Sequence, residues 1–276
     1  MPHGYLFANM PHLRIRSEYL MLLLLTNDDG VTAEGLSLLR ERLRPLGQTV
    51  ICAPDRNCSA SSRKLTLDRP LNVVEIEDDV YAVDGTPADS VLMALHHILP
   101  RKPDLVVSGI NAGPNLGEDV FYSGTVGAAM EARSYGVPSV AVSLASWTGE
   151  GLEESGGVAV WIVEHMLNGS ISPDLVLNVN IPGKITSSGA RLTRLGKRRY
   201  VDLITKSNGP RGREVYWIGG EGPLWEKDPL SDHAAIEAGV VSVTPLGNDL
   251  TDYEALRSLK FNGLLRDHWH VGNDAH

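Results

Sequence analysis

Leu22–Gly30 reads LLLLTNDDG, four leucines ending abruptly in Thr26, Asn27, Asp28, Asp29 and Gly30. An apolar run of this length without alternation reads as a strand buried on both faces, as strands in parallel sheets are. The two neighbouring acids then fall at the C-terminal end of the strand, where open α/β sheets place their sites. Adjacent carboxylates repel, and ionisation of one raises the pKa of the other. A hard divalent cation removes that conflict. Taken alone, DDG is also an ordinary turn with Asp28 as a helix cap, so the surrounding chain has to choose between the two.

Beyond this strand, helix-like and strand-like segments alternate. Ala33–Leu43 carries Leu36, Leu39 and Leu43 on one helical face, and Thr49–Ala53 is the next strand. Leu71–Val83 reads as a β-hairpin. Pro87–Leu99 reads as a helix with Val91, Leu92, Leu95 and Leu99 at helical spacing. Thr86 can cap it, Pro87 occupies its first position and Asp89 completes a capping box. Leu105–Ser108 is a strand leading into a glycine-rich loop over Gly109–Ser123. Gly124–Tyr135 is a helix stopped by Gly136 and Pro138, and Val140–Leu144 and Leu175–Ile181 supply further strands. This alternation predicts an α/β protein with a doubly wound, mostly parallel sheet. After Pro182 the character changes to short strands at Arg191–Leu195, Tyr216–Ile218 and Val240–Thr244, then a helical tail at Asp252–Trp269. The expected organisation is a loose extension over 1–20, a core over 21–182 and an appended β-rich region with a C-terminal helix over 183–276.

The composition narrows the class. The chain has 276 residues, enough for a full core; 42% are hydrophobic, 21% are charged and the formal net charge is −9. That balance opposes duplex nucleic acid as the main partner, because a phosphate backbone needs a basic face. It is compatible with a small anion, since a bound metal reverses the local field. The two cysteines, Cys52 and Cys58, form neither a CxxC motif nor a secreted disulfide framework, so a reducing cytoplasm is expected. No apolar run approaches the roughly 20 residues of a membrane span, and no membrane partner is expected. Residues 1–20 lack the apolar core of a secretory signal.

Four chemistry-bearing segments should meet at one sheet edge. The first holds Asp28 and Asp29. The second, APDRNCSASSRK, carries Ser59, Ser61 and Ser62; the third, SGINAGPNLGED, carries Asn111 and Asn115; the fourth is Ser123-Gly124-Thr125 at a helix start. A helix opening with small residues presents backbone N–H groups and a partial positive charge to phosphate. Asn115, Ser123, Gly124 and Thr125 are therefore the phosphate-binding candidates. The donors are hard oxygens, which suit Mg²⁺ or Mn²⁺ better than Zn²⁺. No HExxH, GxGxxG after a strand, GxxxxGK[ST] or GxSxG motif is present. His96 and His97 read as structural or surface residues.

The motifs TNDDG, APDRN-x-S, LTLDRPL, YAVDGTPADSV, KPDLVVSGIN-x-G-x-NLGEDV-x-YSGTVGAAMEA and LNVNIP, in order from Leu22 to about Leu246, resemble the SurE (stationary-phase survival) family of nucleotidases. The resemblance implies a Rossmann-like core and hydrolysis of nucleoside 5′- and 3′-monophosphates with one divalent cation per subunit. It implies metal ligands at Asp28, Asp29, Ser59 and Asn111, with no catalytic residue assigned beyond them. It also implies a homodimer or homotetramer assembled through C-terminal elements, roughly residues 221–250. Three departures stand out. Where the family more often has a Gly after the ligand serine and an Asn a little further on, Ala60, Arg63 and Lys64 intervene here. Cys58 replaces a polar or basic residue. The chain also runs 20 residues upstream of Met21, where relatives commonly begin. Two other readings remain open: a broad phosphatase or exopolyphosphatase, and a nucleotide sensor without chemistry.

Overall fold

The computed structural model describes residues 20–187, 189–199, 204–218 and 224–258. Apart from Leu20, the extension expected over residues 1–20 lies outside the described residues, as does the C-terminal tail beyond Ser258. The chain divides into a compact unit ending at Leu246 and a small second unit from Gly247, of which α6 (Tyr253–Ser258) is the described helix.

In the larger unit the elements run β1 (Leu22–Thr26), α1 (Glu34–Leu43), β2 (Gln48–Pro54), β3 (Val73–Glu77), β4 (Val80–Val83), α2 (Pro87–Met93), β5 (Leu105–Ala112), α3 (Gly124–Ser134), β6 (Ser139–Ala145), α4 (Leu152–Leu167), β7 (Val176–Pro182) and β8 (Ala190–Leu192). The short strands β9 (Arg198–Arg199), β10 (Ile204–Asn208), β11 (Glu214–Ile218) and β12 (Leu224–Trp225) follow, then α5 (Asp232–Glu237) and β13 (Val241–Leu246). Nine strands form one sheet in the order β3-β4-β2-β1-β5-β6-β7-β13-β8. β1 pairs in parallel with β2 on one side and β5 on the other. The chain therefore reverses its winding direction at β1, which makes the β1/β5 edge the topological switch point. Pairing is antiparallel between β3 and β4 and between β7 and β13, so β13 and β8 add to the core sheet from beyond Pro182. No described helix is long and apolar enough to cross a membrane.

Period-two alternation along β1 divides the core between two faces. Leu23 and Leu25 pack with Leu36, Leu39 and Leu43 of α1 and with Val158, Ile162 and Val163 of α4. Leu24 faces the other way, onto Val91 of α2 and Ala128 and Ala132 of α3. Truncating a leucine as buried as Leu24 typically costs about 2–5 kcal/mol. α1 has no side-chain cap, so its position rests on this apolar stripe and on Gly35. A Cβ at Gly35 would lie 2.2 Å from the Ile110 carbonyl oxygen. α2 begins on the expected capping box between Thr86 and Asp89.

The structure corrects three sequence readings. The helix expected over Pro87–Leu99 is α-helical only to Met93 and continues as a π-type turn over Ala94–Ile98, with His96 and His97 exposed. The loop expected from Gly109 begins later, because β5 continues to Ala112. Its pairing with β6 slips between Ser108 and Asn111 and then resumes as Asn111↔Ser143 and Ala112↔Leu144. Gly109 (φ +138) permits the slip: a Cβ there would lie 2.2 Å from the Val142 carbonyl oxygen. Finally, α4 fills a stretch where no helix was expected. It starts after Gly151 (φ 89) with no capping side chain, so the usual start signal is missing.

Candidate active site

The C-terminal ends of β1 and β5 and the first turn of α3 meet at the switch point. Asn27 shapes the turn after β1: its amide donates to the Gly30 carbonyl (3.0 Å) and its Oδ1 accepts from the Gly30 N–H (3.1 Å). This turns Asp28 inward, where it is 4% exposed. The Thr125 hydroxyl donates to the Asp28 carboxylate and lies 3.3 Å from Asn111 Oδ1. Asp29 is half-buried. It accepts from the Ala112 N–H at 3.1 Å and from the Asn57 amide at 3.5 Å, while Asn57 Oδ1 accepts from the Ser59 N–H at 2.9 Å. The Cys58 N–H donates to the Asp28 carbonyl (2.7 Å), which ties the serine loop to the β1 turn. Asn111 directs its NH₂ to the Gly113 carbonyl (2.8 Å), leaving its oxygen on the Thr125 side.

Burial is the main cause that holds both carboxyls above their ordinary pKa of 3.8. For Asp28, the neighbouring Asp29 charge pushes in the same direction and the Thr125 hydrogen bond opposes it. Burying two adjacent acids disfavours their charged forms unless a cation accompanies them. The donor chemistry fits a hard cation: two carboxylates, the Asn111 amide oxygen and the Ser59 hydroxyl. Among the described residues, no three His, Cys, Asp or Glu side chains converge on one point, so thiolate–imidazole ligation has no support. A second observation concerns Ser61. Its buried hydroxyl has no hydrogen-bond partner, and a Cβ on Gly124 would lie 2.6 Å from it, 2.7 Å from Asp28 Cβ and 2.9 Å from Asp28 Oδ2. An orphan buried hydroxyl beside a helix start and a carboxylate is an anomaly that a ligand oxygen or cation would remove.

Asp28, Asn111, Ser59, Asn115 and Ser123 line a single cleft of about 580 Å³. Ser123 caps α3, its hydroxyl accepting from the Val126 N–H at 3.1 Å, and Gly124 and Thr125 form the buried first turn. Thr125 spends its hydroxyl proton on Asp28. Asn115 is held from all sides: its amide donates to Ser143, its N–H donates to Asn180, and its carbonyl accepts from Asn178 and Asn180. The motif LNVNIP thus places two asparagines, i and i+2 on β7, around one backbone position.

Of the departures in the serine loop, Arg63 has a structural role for its side chain, and Lys64 takes part through its backbone. Arg63 pairs with Glu131 of α3, which is almost fully buried, and the Lys64 carbonyl accepts from the Thr86 hydroxyl at 2.6 Å. Ala60 has φ 58, in the left-handed region where a Cβ is strained. Ala60→Gly is therefore expected to stabilise the protein by about 1 kcal/mol and raise its melting temperature by roughly 2 °C, as read by calorimetry. Burial also raises the pKa of both thiols, that of Cys52 to about 12, so neither is a reactive thiolate.

Sequence reasoning missed the opposite wall. Asp232, fully buried, accepts from the N–H groups of Gly117, Gly196 and His233, each at 2.8 Å. It thereby brings the loop after β5 against the segments around α5. Trp225 stacks on His233 with ring centroids 4.1 Å apart, and Arg198 pairs with Asp119. The only signal in the sequence was Ser231-Asp232 as a helix start.

The family model for the survival protein SurE matches residues 23–202. The chain belongs to the SurE family. It is 45% identical over 241 residues to the 5′-nucleotidase SurE of Methylococcus capsulatus, covering 87% of this chain and 96% of that relative. It is also 45% identical over 257 residues to the 5′-nucleotidase SurE of Vibrio cholerae, covering 92% and 94%. The crystal structure of the SurE protein from Aquifex aeolicus superposes with a TM-score of 0.76 at 44% identity, covering 87% of this chain and 98% of that one. SurE membership and this superposition agree with the Rossmann-like core expected from the sequence.

Proposed function

We propose that this SurE protein hydrolyses the phosphomonoester of nucleoside 5′-monophosphates, and of 3′-monophosphates, to nucleoside and inorganic phosphate. One divalent cation per subunit, Mg²⁺ or Mn²⁺, is held by Asp28, Asp29, Ser59 and Asn111. The observation that carries this reading is the adjacent carboxylate pair at the end of β1, with Asp28 buried against the first turn of α3 and Asp29 half-buried beside it, in a chain whose relatives carry the name 5′-nucleotidase. When bound, the cation supplies Lewis-acid polarisation of the phosphoryl group and neutralises its charge.

The remaining work falls to the chain itself. The α3 N-terminus, opened by Ser123 and Gly124, directs backbone N–H groups and the helix dipole at phosphoryl oxygens. The Asn115 backbone, fixed by Asn178 and Asn180, keeps that side of the cleft rigid. Thr125 orients the Asp28 carboxylate by donating to it. In the reaction, water oxygen bonds to phosphorus, the P–O ester bond breaks and the sugar oxygen takes up a proton.

Assembly as a homodimer or homotetramer belongs to this proposal. It is supported by the exposed Ile204, Tyr216, Trp217 and Ile218 on the β10–β11 hairpin, an apolar surface that a lone subunit leaves in water. A reducing cytoplasmic setting, supported by two free thiols, belongs to it as well. The test is phosphate release from AMP, GMP, 3′-AMP, p-nitrophenyl phosphate and polyphosphate, with Mg²⁺, Mn²⁺ or chelator. Cation-dependent turnover of the nucleotides is expected. Polyphosphate outpacing every nucleotide would make the protein an exopolyphosphatase, and nucleotide binding without phosphate release would make it a sensor.

A further inference from the structure

The floor of the cleft is oxygen donors, but its rim carries aromatic rings. Trp147, just beyond β6, lines the cleft and is 82% exposed. A large apolar ring left in water at the mouth of a concave site is the kind of surface a ligand covers. The ring is also seated. A Cβ on Gly113 (φ +114) would lie 2.5 Å from two of its carbons, so only glycine lets the indole rest there. The same Gly113 accepts the Asn111 amide at 2.8 Å through its carbonyl, and its N–H donates to the Leu144 carbonyl at 3.0 Å. One residue therefore sets the indole and the Asn111 side chain in register. The other cleft rings are Trp225 and Tyr122, the second of them also exposed. Trp225 is stacked on His233, with the Arg198 guanidinium 5.5 Å from its centroid, and Tyr122 adjoins Ser123 at the phosphate end.

We propose that the Trp147 indole is the platform on which the nucleobase of the substrate stacks, selecting nucleotides over ring-free phosphomonoesters and purines over pyrimidines. This deepens the nucleotidase reading and rests on it. A purine offers a larger π face than a pyrimidine, and polyphosphate offers none. Stacking accepts every base and strengthens with the π face the base offers.

The test uses the full-length protein, with Trp147→Ala and Trp147→Phe, on AMP, CMP and ribose 5-phosphate. Binding is measured by calorimetry in Mg²⁺ and turnover by phosphate release. Trp147→Ala is expected to weaken AMP binding and raise its KM by roughly 10- to 100-fold while kcat holds. CMP should lose less, ribose 5-phosphate should change by less than about twofold, and Trp147→Phe should recover part of the loss. Equal losses on AMP and ribose 5-phosphate, no loss on AMP, or a wild type that binds the two equally would overturn the assignment. So would a changed oligomeric state of Trp147→Ala by light scattering, which would make the ring a subunit contact. A wild type that binds AMP through Trp147 but releases no phosphate would remove the hydrolytic reading and leave the platform standing.

Discussion

Asp28→Asn is expected to abolish cation-dependent phosphate release while making the cation-free protein more stable. A divalent cation contributes several kcal/mol of transition-state charge stabilisation. At about 1.36 kcal/mol per tenfold, losing it costs about three orders of magnitude in rate. The stability gain follows from proton linkage. Burial and the Asp29 charge hold the folded Asp28 carboxyl above 3.8, so the fold binds that proton more tightly than the unfolded chain does. The associated stability is full below the ordinary carboxylate pKa and is lost as pH rises through the raised value. An asparagine cannot ionise, can still accept from Thr125 and does not repel Asp29. In chelator at pH 7–8 the variant should therefore melt above the wild type, and the gap should close as the pH falls toward 4. Added Mg²⁺ or Mn²⁺ should raise the melting temperature of the wild type only. Equal melting of the two proteins in chelator across this range would remove the linkage argument, and retained turnover would remove Asp28 from the site.

Gly124→Ala should damage both the fold and the site through a single methyl group. That carbon would fall 2.6 Å from Ser61 Oγ, 2.7 Å from Asp28 Cβ and 2.9 Å from Asp28 Oδ2. All three atoms belong to segments fixed by other bonds: the Asp28 carbonyl to the Cys58 N–H, the Ser61 N–H to the Cys58 carbonyl. Overpacking at such a position costs about 1–3 kcal/mol. Displacing a ligand group by even 1 Å can cost about 100-fold in rate. Gly157→Ala on α4 is the control, because its Cβ would meet nothing within 4 Å and alanine favours a helix by about 1 kcal/mol. Chemical denaturation and phosphate release on the two variants should move in opposite directions for stability, with activity lost only at Gly124.

Strong local signals made much of the sheet and site legible in the sequence. The leucine run fixed β1 and put Asp28 and Asp29 at its end, and Thr86–Asp89 announced α2. Of the residues expected at the site, Asp28, Ser59, Asn111, Asn115 and Ser123 line one cleft at the switch point, and Thr125 reaches Asp28 and Asn111 beside it. What escaped depended on long-range contacts. Asn111 read as a loop residue because Gly109 and Gly113 look like turn punctuation. In the fold those glycines serve close approaches to the Val142 carbonyl and the Trp147 ring. α4 escaped because it opens on a left-handed glycine instead of a capping side chain. The wall of Arg198, Trp225, Asp232 and His233 escaped because strands of two residues leave no periodicity to read, and long-range contacts, the hydrogen bonds of Asp232 and the Arg198–Asp119 pair, bring it to the cleft.

The order in which β1 and β5 pair has a kinetic meaning. Asp28 and Asn111 come within reach of one hydroxyl only when Thr26 stands beside Ser108 in the finished sheet, although more than 80 residues separate them along the chain. Parallel pairings across such separations form slowly, after their loop-closure entropy has been overcome. The cation proposed for this site would consequently find no completed chelate on a partly collapsed chain. Bound after the slow pairing step, it would slow the escape from the native state and leave the speed of reaching it unchanged.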